Sequence, residues 1–218
     1  MSDIFNEVDE EVRRERLKSI WDRYSLLIIA AAVLFVGGIG AWRGYEYWVA
    51  QKAQQAGARF EAAAVLSEEG KHAEAAAAFA EVAATAPQGY RALARLRVAA
   101  EQASTAPADA VKTYDAVAAD GSLGVLWQDL AAVRAGMLLV DTAPLADMTG
   151  RLTPMTEPTR PYRHTARELL ALSAWRHQDA AAARKYIDMM AADGDTPPGT
   201  RARIEVLSTL ISAAAGKS

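Results

Sequence analysis

Cysteine is absent from the 218 residues, which excludes a disulfide framework, a thiol nucleophile and a thiolate metal site. Histidine is scarce. His72, His164 and His177 form no H-x-x-x-H or H-E-x-x-H pair, the spacings that set two imidazoles on one helix face for a metal ion. All three are expected to be structural, with His72 packing in a helical hairpin. There is no G-x-S-x-G, no P-loop, no G-x-G-x-x-G after a strand and no Asp-rich calcium loop, so no cofactor is implied and the chain does not read as an enzyme. The carboxylate in GVLWQDL, Asp129, is expected to be solvated. Positive charge is not in excess either: 24 Lys and Arg against 27 Asp and Glu leave a formal charge of −3. Nucleic acid needs a basic surface and is excluded as a partner. Long blocks of one charge and Gly/Ser-rich linkers are also missing, so little disorder is expected outside the termini.

One segment is itself defined by an absence. Ser25 to Ala41, SLLIIAAAVLFVGGIGA, runs 17 residues without a charge. As a helix it reaches about 26 Å, the lower end of what a bilayer core requires. Trp21 and Tyr24 precede it, and Trp42, Tyr45, Tyr47 and Trp48 follow, as aromatic rings gather at the two water–lipid boundaries. Arg13, Arg14, Arg16, Lys18 and Arg23 lie before the span, against Arg43, Lys52 and Arg59 after it. That bias predicts a cytoplasmic N-terminus and a periplasmic C-terminal part, in a bacterial inner membrane. The long charged lead and the Trp42-Arg43-Gly44-Tyr45 sequence after the run suit an uncleaved signal anchor better than a cleaved signal peptide. Inside the span, Gly37-x-x-x-Ala41 and Gly40-x-x-x-Gly44 are pairs of small residues that allow close helix contact in lipid. They are candidates for self-association or for a contact with a multispanning partner.

Beyond the span the chain is rich in Ala, with larger apolar residues recurring at three and four in stretches such as RALARLRVAAEQA, LWQDLAAVRAGMLLV and ARELLALSAW. This is helical periodicity. Breaks at Gly70, Pro87, Pro107, Gly121, Pro144, Pro154 to Pro161 and Gly194 to Gly199 predict about eight helices in antiparallel pairs. No strand pattern competes, and the fold class is all-α.

The helices repeat. EAAAAFAEVAATAP, DAVKTYDAVAADGS and AAARKYIDMMAADG each carry a small residue, an aromatic four later and an aliphatic three later. The triplets are Ala75/Phe79/Val82, Ala110/Tyr114/Val117 and Ala182/Tyr186/Met189, with a weaker copy at Ala146/Gly150/Thr153. The leading positions step by 35, 36 and 36, a period of stacked helical hairpins; the tetratricopeptide repeat has one of 34. In the first copy Gly70, His72, Ala75, Phe79 and Pro87 match the second half of a tetratricopeptide unit: turn glycine, ring, small residue, aromatic, terminating proline. In the later copies Thr105, Asp141 and His177 stand in the turn glycine's place.

The full layout resembles the YfgM-like family of bacterial inner-membrane proteins: a short charged helix (SDIFNEVDEEVRRERLKSIWDRY), one span, then Ala-rich hairpins. The closing DGDTPPGTRARIEVLSTLIS is similar to that family's capping helix. The resemblance implies an ancillary subunit of the Sec translocon, with translocon subunits and periplasmic chaperones as protein partners. It supplies no catalytic residues.

The organisation expected is a cytoplasmic amphipathic helix over 1–23, with Ile4, Phe5, Val8 and Val12 on one face, and a membrane anchor over 24–48. A tetratricopeptide-like solenoid of about four hairpins follows over 49–213, with a tail over 214–218. In a right-handed superhelix the first helix of each pair lines the concave face. Phe60, Ala64 and Ser67, then Arg95, Ala99 and Gln102, and finally His164, Arg167 and Ala171 are the candidates for that face. Trp127 and Trp175 are expected in the core. Two other functions fit the same layout: a scaffold for envelope or cell-division assemblies, and a regulator acting through its cytoplasmic helix.

Overall fold

Every break expected from glycine or proline falls at or beside a helix boundary in the computed structural model, which describes residues 3–215 and side chains from Lys18 to Ala214 apart from Ile20 and Ile28. The amphipathic face expected at Ile4, Phe5, Val8 and Val12 lies outside the described side chains. The helices are α1 (Asp3–Glu68), α2 (His72–Thr85), α3 (Gln88–Thr105), α4 (Pro107–Ala118), α5 (Val125–Leu139), α6 (Leu145–Leu152), α7 (Arg163–Arg176), α8 (Ala180–Ala192) and α9 (Pro198–Ala215). Short 3₁₀ turns occupy Gly121–Leu123 and Thr153–Met155. Among the described residues there is no strand. The chain divides into two compact units, one ending at Lys52 and one beginning at Ala53.

The first unit is helical throughout its described residues and long and apolar enough to cross a membrane: an 18-residue window has a mean hydropathy of 2.2, with none of it buried. Leu26, Leu34, Phe35 and Val36 stand exposed. Trp48 lies under the Lys52 ammonium, 3.7 Å from its ring centroid. Gly37, Gly40, Ala41 and Gly44 are exposed, and the space beside the three glycines is open.

The second unit pairs the last turns of α1 with α2, then α3 with α4, α5 with α6, and α7 with α8, leaving α9 against α7 and α8. Turn chemistry explains the reversals. After α1, the Lys71 N–H bonds to the Leu66 carbonyl (2.9 Å) and the Gly70 N–H to Ser67 (3.0 Å). This closure puts the fifth position in the left-handed region, and Gly70 adopts it at φ +77°. Pro87 forces Ala86 to extended backbone and ends α2. Pro107 opens α4 at its first position, where the missing N–H costs nothing.

Alanine makes up nearly half of the buried apolar residues, so the helices approach closely and each hairpin has only a few large side chains to fill the gaps. Phe79 is fully buried with its ring edge on Phe60 at 4.9 Å, beside Ala63 and Ala75. Ala110, Tyr114 and Val117 form the next buried stripe. The third copy lies elsewhere than the spacing suggested. Ala146, Gly150 and Thr153 are exposed, and the buried stripe is Met148, Leu152 and Met155, two residues later. In the fourth, the fully spaced stripe is Ala183, Ile187 and Met190, with Tyr186 buried beside it and Ala182 and Met189 packed at its edge. The leading positions are therefore 75, 110, 148 and 183, steps of 35, 38 and 35. The longer middle step contains the 3₁₀ turn Gly121–Leu123 between α4 and α5. Gly136 on α5 is where three helices meet: a Cβ there would stand 3.1 Å from Leu152 and 3.4 Å from Leu169.

Candidate interaction sites

The residues proposed for a concave face turn out to be tied into the joints between helices. Phe60 packs on Phe79. Ser67 donates to the Glu101 Oε1 at 2.8 Å. Arg95 pairs with Asp120 at 2.5 Å and donates to the Ala116 carbonyl. Gln102 accepts from the Thr113 hydroxyl at 2.7 Å. His164 shares a hydrogen bond with the Thr196 hydroxyl at 3.2 Å. Arg167 is buried, its guanidinium bonding the Thr156 carbonyl at 2.6 and 3.0 Å and Asp193 at 2.8 Å. A buried strut of this kind does not line an open surface, and the expectation for Arg167 is corrected accordingly. Ala99 and Ala171 are fully buried as well. Trp127 and Trp175 are half-buried against core clusters.

Three polar nodes hold the hairpins together. Glu101, buried on α3, accepts from Ser67 and pairs with Arg97 at 3.2 Å and with the His72 Nδ1 at 2.8 Å. Burial pushes this carboxyl up, but the His72 and Ser67 hydrogen bonds and the Arg97 charge leave it below the ordinary range. His72 therefore makes a polar contact where ring packing was expected. Asp129 corrects a second expectation: it is fully buried on α5 rather than solvated, and pairs with Arg160 from the loop before α7. Its burial raises its pKa against the opposing pull of Arg160, and its Oδ2 has no hydrogen-bond partner. The third node is Asp193, held well below the carboxylate range first by the Arg163 hydrogen bond, then by Arg167. Beside it, burial and the Arg163 charge depress His164.

Each of the missed buried charges lies on a helical stripe legible in hindsight. Glu101 is seven residues after buried Ala94, Asp129 precedes Ala132, Val133 and Gly136 by three, four and seven, and Arg167 precedes Leu170, Ala171 and Ala174 likewise. Among the described residues no group of three His, Asp or Glu side chains could hold a metal ion. A groove of about 830 Å³ opens where the carboxyl ends of α5 and α7 meet α9.

Buried stripes recurring every 35 to 38 residues through successive helical hairpins define an all-α repeat protein, the class of fold that builds extended binding surfaces. The family described as tetratricopeptide repeat-like domain matches residues 18–158, and the chain belongs to that family. The match takes in the apolar part of α1 as well as the first three hairpins, and α7 to α9 lie beyond it. No curated protein and no solved structure gives a match.

Proposed function

We propose that the protein is a single-pass, membrane-anchored interaction scaffold of the bacterial inner membrane, with its N-terminus cytoplasmic and its hairpins periplasmic. The observation that carries this reading is the pairing of a fully exposed apolar helix of membrane length with a repeat domain whose buried polar nodes at Glu101, Asp129 and Asp193 tie one element to another. An apolar surface of that extent is not left in water, and the charge bias around it orients the chain. The mechanism is binding: confinement to the membrane raises the effective concentration of the hairpins beside a membrane complex, so that weak contacts suffice. By its resemblance to the YfgM-like layout, the complex is the Sec translocon, and the partners that meet the hairpins are periplasmic chaperones. Crosslinking in intact cells, then capture in mild detergent, tests this. Translocon subunits and periplasmic chaperones are expected to be enriched over an abundant unrelated membrane protein. Recovery of cell-wall or division proteins, or of this chain alone, overturns the translocon assignment.

A further inference from the structure

The connection between α8 and α9 is fastened to the first turn of α7 by charges and a hydroxyl. Arg163 Nε and Arg167 Nη1 both donate to Asp193 Oδ2 at 2.8 Å, and the Asp195 N–H donates to Oδ1 at 3.1 Å. Thr196, which is buried, donates its hydroxyl to the Met190 carbonyl at 2.7 Å. That donor is spent, so in the 3.2 Å contact between the Thr196 hydroxyl and the His164 Nδ1 the imidazole gives the proton. A further proton taken up by His164 goes to Nε2 and makes the ring a cation.

The surroundings suit the neutral ring. His164 is the second residue of α7, where the positive end of the helix dipole disfavours a cation. Arg163 and Arg167 lie on the same turn. Asp193 offers a carboxylate, but its Oδ2 is 3.9 Å from Nδ1, beyond hydrogen-bond reach, and already accepts from both guanidiniums. Asp195 is 85 % exposed and paired with Arg163 at 3.0 Å, so water screens it. The next charges along are engaged elsewhere, Arg160 with Asp129 and Arg203 with Glu168. Burial and the Arg163 charge accordingly hold the imidazole below its ordinary value.

We propose that His164 is a proton-operated catch on the last helix: a proton at Nε2 adds a third cation to Arg163 and Arg167, drives the ring off Thr196 and lets α9 lift from α7 and α8. Lifting would bare Ile204, Leu207 and Ile211, the buried residues of α9 that meet the core. An imidazole freed by opening takes its proton near pH 6.5. The closed state is therefore favoured above that pH and loses ground as pH falls below it. This catch works whichever partners the hairpins meet, so its failure would leave the scaffold reading standing. The test is hydrogen–deuterium exchange of the full chain in lipid nanodiscs, with parent and His164→Asn compared at the same pH so that the intrinsic pH dependence of exchange cancels. The Asn amide keeps a donor for Thr196 and takes up no proton in this range. Over residues 190–211 the parent-to-variant ratio of exchange rates should rise about threefold from about pH 7.5 to about pH 5.5, and no more than about tenfold, the limit set by the protonated share of a free imidazole. Over 72–85, in α2, the ratio should stay constant. A ratio that does not change with pH over 190–211, or one that rises equally in α2, overturns the proposal. If the variant melts lower than the parent, NMR of labelled histidines in the parent decides. His164 should titrate with a midpoint below about 6.5; a midpoint at or above that value overturns the catch.

Discussion

At Asp129 a carboxylate is buried with one oxygen paired to Arg160 and the other unpartnered, so the residue is held in place by a single cation. Asp129→Asn should destabilise the fold by about 2–3 kcal/mol, because the half-buried guanidinium loses its counter-charge. Asp129→Leu combined with Arg160→Met should recover most of that loss in thermal unfolding, since a well-packed apolar pair replaces an ion pair without penalty; no recovery would mean that the pair is not the cause. Other titrating groups set an acid limit. Asp120 is lowered to about 2 by the Ser122 and Arg95 hydrogen bonds, and Asp193 and Glu101 are lowered as well. Carboxyls depressed in the folded state stabilise it above their unfolded pKa, near 4, and lose that contribution as pH falls through the folded value. His164, also depressed, acts in the same direction and begins to do so below about pH 6.5. Asp129, raised, acts the opposite way. Melting followed by circular dichroism should therefore decline slightly below pH 6.5 and steeply below about pH 4. Asp193→Asn should flatten the steep limb; an unchanged slope would contradict the assignment. Gln178 holds a left-handed backbone at φ 62° in the turn after α7, so Gln178→Gly is expected to raise stability by about 0.5–1 kcal/mol in the same assay.

At the scale of helices, close approach is the controlling feature. Gly136 faces Leu152 and Leu169 with no room for a branched side chain. Gly136→Val should cost about 1–3 kcal/mol by overpacking and should lower the denaturant midpoint. A midpoint equal to the parent's would show that α6 can shift aside. The first hairpin was legible in the sequence because its signals are local: a left-handed turn at Gly70, a ring at Phe79, a stop at Pro87. Helix class and the placement of breaks were legible for the same reason. The third hairpin was not, because α6 is only 8 residues long and its stripe uses Met148 and Leu152 in place of a small residue and an aromatic. The joints were hidden too. Asp115 pairs with Arg151, Asp141 with Arg176 and Glu168 with Arg203, each pair 35 or 36 residues apart, so neither partner is visible from the other's local pattern. Surface candidates such as Arg95 and Gln102 were read from a helix face without knowing that α4 and the turn after it, in the same hairpin, would bond to it.

For the molecule as a whole, the prediction follows from the exposed apolar run of α1. The chain should remain in the membrane pellet through an alkaline carbonate wash and leave it only in detergent. Protease added to spheroplasts should degrade the hairpins and spare an N-terminal tag; loss of the tag with protection of the hairpins would reverse the orientation. The hairpin region has a further consequence. Each helix packs mainly on elements one or two away in sequence, and each buried cluster spans adjacent hairpins. Contacts this local close quickly and require no distant segment. Hairpins can thus form one at a time from the N-terminal side, since the cluster around Phe79 draws on α1, α2 and α3 and needs nothing from α9. The last helix then has only to dock on a surface already made by α7 and α8.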